Sequence, residues 1–221
     1  MESKLQYRDK LYWDKRFSTE AHFEWLTEFG TFRHLILPHL KNRSDRILHI
    51  GCGNSRLSHE LYDEGYQNVT NVDFSDILIE SGKEAYPTMD WICNDMRTLH
   101  SIPNDSIDVV IEKASIESLL VGEKSQWDPS EQAIDDVDSI FRAVQRVLKP
   151  DGIFISISFT QPHFRVPAIL RNPGWNCTVE TFGEFFHYYC YCMKMGESPD
   201  MELLERFAFV LRSNRIACDD L

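Results

Sequence analysis

The chain has 221 residues, 43% hydrophobic and 26% charged, which is the make-up of a folded enzyme with a sizeable core and excludes intrinsic disorder as its main state. Lys and Arg number 23 against 35 Asp and Glu, a formal net charge of −12, so sequence-independent binding to a phosphate backbone is disfavoured and a basic protein partner is favoured. No apolar run approaches the roughly 20 residues of a membrane span, and MESKLQYRDK lacks the apolar stretch of a secretory signal, so a cytoplasmic protein is expected.

The segment before residue 46 is predicted helical, with Phe29, Phe32, Leu35 and Ile36 on one stripe. From residue 46 short apolar runs alternate with amphipathic stretches. Strands are predicted over 46–51, 69–73, 90–95, 107–113 and 152–159, with helices over 57–66, 77–86 and 130–150. Lys149-Pro150-Asp151-Gly152 supplies a stop and turn before the last of these strands. This alternation predicts right-handed βαβ units in a doubly wound, mostly parallel sheet. After residue 174, WNCTVETFG and FFHYYCYCMKMG predict a terminal antiparallel hairpin, and Pro199 to Leu211 an amphipathic tail helix.

The six cysteines, Cys52, Cys93, Cys177, Cys190, Cys192 and Cys218, form no CxxC pair and are expected to be reduced thiols. Cys190 and Cys192 share one strand face, but His187 alone does not complete a ligand set, so no metal is expected.

In such sheets a ligand binds beyond the carboxyl ends of the strands, where strand order reverses. The first strand ends in Gly51-Cys52-Gly53-Asn54-Ser55, a turn whose missing side chains admit a close ligand, although a glycine pair here is often only a turn. Asp73 closes the second strand, placed to accept from both hydroxyls of a ribose, and Phe74 follows it beside a base. At the third strand end Asp95 faces an exocyclic amine, and the Met96 N–H a ring nitrogen, of adenine. Each acid taken alone is read first as a helix cap or turn residue; three successive strand ends together indicate a bound adenosine. Arg56 stands where a dinucleotide fold would place its third small residue, and no P-loop lysine is present. S-adenosyl-L-methionine, which carries adenosine without phosphate, satisfies both conditions.

LHIGCGNSRLS, NVDFS, NDM and IDVVIEKASIESLL resemble the motifs of class I S-adenosylmethionine methyltransferases, specifically the lysine methyltransferases that modify translation elongation factor 1-alpha. The resemblance includes YRDKLYWDKRF and FEWL upstream and LKPDG and TQPHFR downstream, over about residues 7 to 195. It implies a Rossmann-like, seven-stranded sheet in a single methyltransferase domain: a helical lid over 1–45, a catalytic core over 46–195 and a tail over 196–221. It also implies that Trp13, Phe17 and Trp25 close over the cofactor beside Gly51 and Gly53, with further contacts from Asp73, Phe74, Asp95, Met96 and Lys113. Glu112 and Glu117 are then candidates to attract the acceptor ammonium, and His163 and Phe164 candidates for the channel wall. Lys113 is expected near the methionyl carboxylate or holding the acceptor loop. Where relatives usually read EKGTLDAL, this chain reads Glu112-Lys113-Ala114-Ser115-Ile116-Glu117-Ser118-Leu119, which changes a glycine and a threonine beside the site.

The expected activity is protein-lysine methylation by a monomeric enzyme, with elongation factor 1-alpha as acceptor. A small-molecule methyltransferase and a non-catalytic cofactor-binding module remain open, while nucleic-acid methylation is disfavoured by the charge and by the lack of an NPPY-type motif.

Overall fold

The computed structural model describes residues 4–196 together with Glu202, Glu205 and Arg206. Seven strands form one sheet: β1 (Ile47–Ile50), β2 (Val69–Asp73), β3 (Asp90–Cys93), β4 (Ile107–Lys113), β5 (Leu148–Ser158), β6 (Trp175–Phe182) and β7 (Tyr188–Met195). Their order is β3-β2-β1-β4-β5-β7-β6, parallel through β5 and antiparallel for the last two. The chain winds outward from β1 first to β2 and β3 and then back to β4, so the switch point lies at the carboxyl ends of β1 and β4.

Both faces of the sheet are covered, which is why the inner strands read as nearly unbroken apolar runs. Leu48 and Ile50 of β1 point into one core, with Val137, Ile140, Phe141 and Val144 of α6 (Glu131–Val147). Ile47 points into the other, with Phe32 and Ile36 of α2 (Phe29–Ile36) and Leu57 and Leu61 of α3 (Leu57–Asp63). Further α-helices among the described residues are α1 (Lys10–Phe17), α4 (Asp76–Ala85), α5 (Glu117–Leu120) and α7 (Pro162–Leu170).

Two predicted elements are corrected. The helix predicted over 130–150 ends at Val147, and Leu148 already pairs with Ile107 of β4. The next matched pair is Val109 with Ile153, so Lys149-Pro150-Asp151-Gly152 is an excursion within β5, opposite Asp108 alone. The predicted lid over 1–45 is only partly helical. Between α1 and α2 lies an irregular strap, residues 18–28, whose polar groups bond mainly to the loop after β1. The tail helix predicted over Pro199 to Leu211 lies almost wholly outside the described residues, as does Cys218. The other five cysteines form no disulfide.

Candidate active site

Gly51 begins the loop after β1 at φ +56°, and a Cβ there would overlap Ser115 in the loop after β4. The two loops therefore pass in contact only because residue 51 is glycine. Asp73, at the end of β2, is buried and accepts from Gly53 N–H and Ser75 N–H, each at 3.0 Å. Burial pushes its carboxyl up to about 6, against the opposing pull of these N–H groups. Each oxygen keeps a second lone pair for a ligand hydroxyl. Phe74 next to it is 36% exposed.

At the end of β3, Asp95 is taken by its neighbour Arg97, whose Nε and Nη2 donate to it and whose Nη1 reaches Asp136 of α6 at 2.8 Å. Sequence reading missed this pairing, which uses most of the acceptor capacity expected for adenine. Met96 lies beside Gly51. Asn94, just before it, has a buried Oδ1 without a protein partner.

The N-terminal segment lies across these strand ends. Ser75 Oγ donates to Asp14 of α1 at 2.5 Å, and Lys10 bonds both Asp14 and Asp76, which seats α1 on the start of α4. This places Phe17 over Gly53, with Trp13 stacked on Phe17 at 5.5 Å and Trp25 edge-on to Trp13 at 6.1 Å. The Arg16 guanidinium lies over the rings of Phe23 and Trp25, at 4.7 and 5.1 Å. Trp13, Phe17 and Trp25, more than twenty residues upstream of β1, are thus brought together with the glycine loop.

Lys113 departs from expectation. Its ammonium is buried and donates to Glu24 at 2.5 Å and to the Trp25 carbonyl at 2.8 Å, so it holds the strap rather than a ligand carboxylate or the acceptor loop. Burial lowers its pKa, against the opposing influence of Glu24. Glu24 in turn accepts from Ser55 Oγ at 2.9 Å and Arg56 N–H at 2.6 Å, at the entry to α3. An anionic side chain of the protein's own thus occupies the place where a dinucleotide fold receives pyrophosphate. Nothing in the local sequence signals Glu24; its partners lie 31, 32 and 89 positions away.

Glu112 and Glu117 are not poised to meet an incoming ammonium. Glu112 is fully buried and accepts from Ser156 Oγ, Ser115 N–H and Ser115 Oγ. Burial raises its pKa, and the nearby Glu117 adds to the rise. Glu117 is buried and paired with Arg165 of α7, with further bonds from Ser158 and Thr160. Desolvation would lower the Arg165 pKa, but Glu117 and Glu112 hold it above its ordinary value. Glu112 thus fixes the Ser115 loop, while Glu117 ties the start of α5 to the end of β5 and to α7. His163 and Phe164 lie in the first turn of α7 at the same edge of the sheet, and Trp127, unnoticed in the sequence, stacks on His163 at 5.1 Å and meets Phe164 edge-on at 4.7 Å.

These groups fit an adenosine-bearing sulfonium: a buried acid with spare lone pairs, a glycine loop that admits close approach, an aromatic wall, and an anion where phosphate would otherwise bind. Comparison with known proteins agrees. Residues 48–156 match the methyltransferase domain family. The chain is 37% identical over 97% of its length to EEF1A lysine methyltransferase 4 of Bos taurus, covering 86% of that protein, and 36% identical to the Mus musculus protein of the same name over 96% of its length, covering 85% of it. The chain belongs to the family of these lysine methyltransferases. Among solved structures, a methyltransferase of Burkholderia thailandensis with bound S-adenosylhomocysteine has the same fold, at TM-score 0.58 and 14% identity, covering 89% of this chain and 92% of that one. A methyltransferase of Methanosarcina mazei gives TM-score 0.55 at 17% identity, covering 74% and 98%. This lysine methyltransferase relative is an S-adenosylmethionine-dependent enzyme built on the Rossmann-like sheet.

Proposed function

We propose that the enzyme methylates a lysine ε-amine of elongation factor 1-alpha. The observation that carries this reading is the match across nearly the whole chain to proteins named for that reaction. The excess of 12 negative charges supports a basic protein acceptor and opposes nucleic acid. A monomeric enzyme working in the cytoplasm belongs to the same proposal; the structure contributes only that no helix among the described residues is long and apolar enough to cross a membrane.

S-adenosylmethionine supplies a methyl group on a positively charged sulfur. Asp73 receives the ribose hydroxyls through its unused lone pairs, and Phe74 packs beside the base. Gly51 and Gly53 let the loop backbone approach a ligand, and Met96 N–H and the acceptor capacity of Asp95 left by Arg97 would receive the adenine. Trp13, Phe17 and Trp25 exclude water and present π faces toward the sulfonium. Lys113 acts through Glu24 to keep Trp25 in place. Bound there, S-adenosylmethionine would supply a methyl group to a lysine nitrogen lone pair, its sulfur leaving with the S–C bonding electrons, and these residues would hold the two in line. Geometry supplies most of the rate.

The acceptor must first lose a proton, which costs about 4 kcal/mol near pH 7.4 for an ordinary lysine. Glu112 is committed to Ser115 and Glu117 to Arg165, so desolvation in a channel bordered by His163, Phe164 and Trp127 lowers this cost, and water takes the proton. Mass spectrometry of purified elongation factor 1-alpha after incubation with enzyme and S-adenosylmethionine tests the reading. A methyl mass increment on one lysine is expected. An unmodified factor, with label appearing instead on a small molecule or RNA of the same extract, would overturn it.

A further inference from the structure

The turn between β6 and β7 holds two adjacent phenylalanines in solvent. Phe185 is 91% and Phe186 75% exposed, the two most exposed large apolar side chains among the described residues. Isolated exposed apolar residues need no explanation, but a contiguous pair at the end of a projecting hairpin is the kind of feature that marks an interaction site. The root of the hairpin is anchored. Phe182 packs on Phe32 at 5.9 Å and on Tyr188 at 5.6 Å, and Tyr188 OH donates to the Leu26 carbonyl of the strap at 3.1 Å. Gly183 turns the chain at φ +96°, where a Cβ would overlap the Phe186 carbonyl oxygen. The tip therefore presents its rings from a defined backbone.

Its place in the topology gives the pair a use. β7 runs antiparallel to β5, with Tyr189 opposite Ser158, so the turn leaves the sheet at the carboxyl-end edge that carries Asp73 and the Ser115 loop. Two strand spacings separate β7 from β4, about 10 Å. Phe159, half exposed, follows the end of β5 between them. Glu184 in the turn and Glu28 at the end of the strap are both exposed.

We propose that Phe185 and Phe186 are a docking finger for the folded acceptor protein, inserting into an apolar depression on its surface beside the target lysine. This rests on the protein-acceptor reading above. Charge selects the occupant: the acidic flank and net charge of −12 attract a basic protein, whereas a second copy of this chain or an anionic bilayer would be repelled. An aromatic contact remote from the reacting atoms aligns a protein lysine without touching the cofactor.

The test uses the full chain as Phe185→Ser/Phe186→Ser, with Phe185→Ser alone as the milder form. Rates on purified elongation factor 1-alpha are measured across its concentration, alongside S-adenosylmethionine affinity by calorimetry and thermal unfolding. Expected are a KM for the factor raised about five- to tenfold in the double variant, kcat within about twofold, and unchanged cofactor affinity and melting. An unchanged KM with an active wild type would overturn the finger while leaving the protein-acceptor reading intact. A wild type inactive on the factor would overturn that reading, and the finger with it. Sedimentation velocity and co-sedimentation with phosphatidylserine vesicles complete the test; self-association or vesicle binding lost in the variant, in place of the KM change, would assign the tip to another occupant and overturn the proposal.

Discussion

Asp73 is the residue whose protonation state cofactor binding should sense. Its carboxyl sits at about 6 because burial outweighs the N–H groups of Ser75 and Gly53. A folded-state value above the unfolded one means that its contribution to stability is fully present below about pH 4 and is lost as pH rises through about 6. Cofactor affinity runs the other way, since ribose hydroxyls donate to the ionised form. The dissociation constant for S-adenosylmethionine should be flat above about pH 7 and rise toward tenfold per unit below about pH 6. Calorimetric titration across that range measures it, and an affinity indifferent to pH would leave Asp73 as a cap of the Gly53 and Ser75 turns. Ala114 offers a second test at this scale. It stands at φ +60°, in the left-handed region, which costs an L residue about 1 kcal/mol or more. Ala114→Gly should raise the melting temperature by about 1–3 °C, the relief of strain being partly offset by the freer unfolded chain. A lower melting temperature by differential scanning would show that the alanine methyl is needed in its packing.

The strap and its latch belong to the scale of elements. Ser18 to Glu28 has no repeating structure of its own, and it is held by bonds to its surroundings: His22 and Glu20 to Asn54 in the loop after β1, Glu24 to the start of α3 and to Lys113 at the end of β4, and the Leu26 carbonyl to Tyr188 of β7. Lys113 is buried and Glu24 part-buried, so removing Glu24 leaves a buried ammonium without its counter-charge, at a cost of about 1–3 kcal/mol. Glu24→Gln should therefore lower the melting temperature and also speed S-adenosylmethionine dissociation, because Trp25 loses its anchor. Glu24→Gln/Lys113→Met should recover part of the stability but not the slow dissociation. Thermal unfolding and stopped-flow release separate the two effects; a dissociation rate that follows stability in both variants would reduce the latch to a packing role.

At the scale of the whole molecule, charge and catalysis operate over different distances. The net charge of −12 steers a basic protein, and its influence is screened over about 8 Å at physiological ionic strength. The proposed cofactor contacts are made at shorter range, around the buried Asp73. Raising salt should therefore lower kcat/KM for elongation factor 1-alpha severalfold while leaving the dissociation constant for S-adenosylmethionine nearly unchanged. Parallel titrations of both quantities check this, and equal salt sensitivity would place charge in the cofactor site instead.

The strands β1 to β5, the helices between them and the terminal hairpin were legible because two-sided burial writes continuous apolar runs, and amphipathic helices write their own period. The positions of Gly51, Asp73 and Asp95 were legible for the same reason: each ends a predicted strand, and a parallel sheet brings successive strand ends to one edge. Local pattern could not reveal which side chains meet across that edge. Glu24 and Lys113 are 89 positions apart, and Glu117 and Arg165 are 48 apart. Each pair forms only because winding outward from β1 brings the two segments to the same edge. Burial then decides chemistry that composition leaves open. Glu117, read as an acid for the acceptor, is spent on Arg165, and Lys113, read as a ligand group, is spent on Glu24. The sequence alone thus determined the scaffold and where a ligand must bind, since both follow from short-range periodicity; tertiary structure alone decided which charges remain free to serve it, since that depends on long-range pairing and on the cost of leaving a buried charge unpaired.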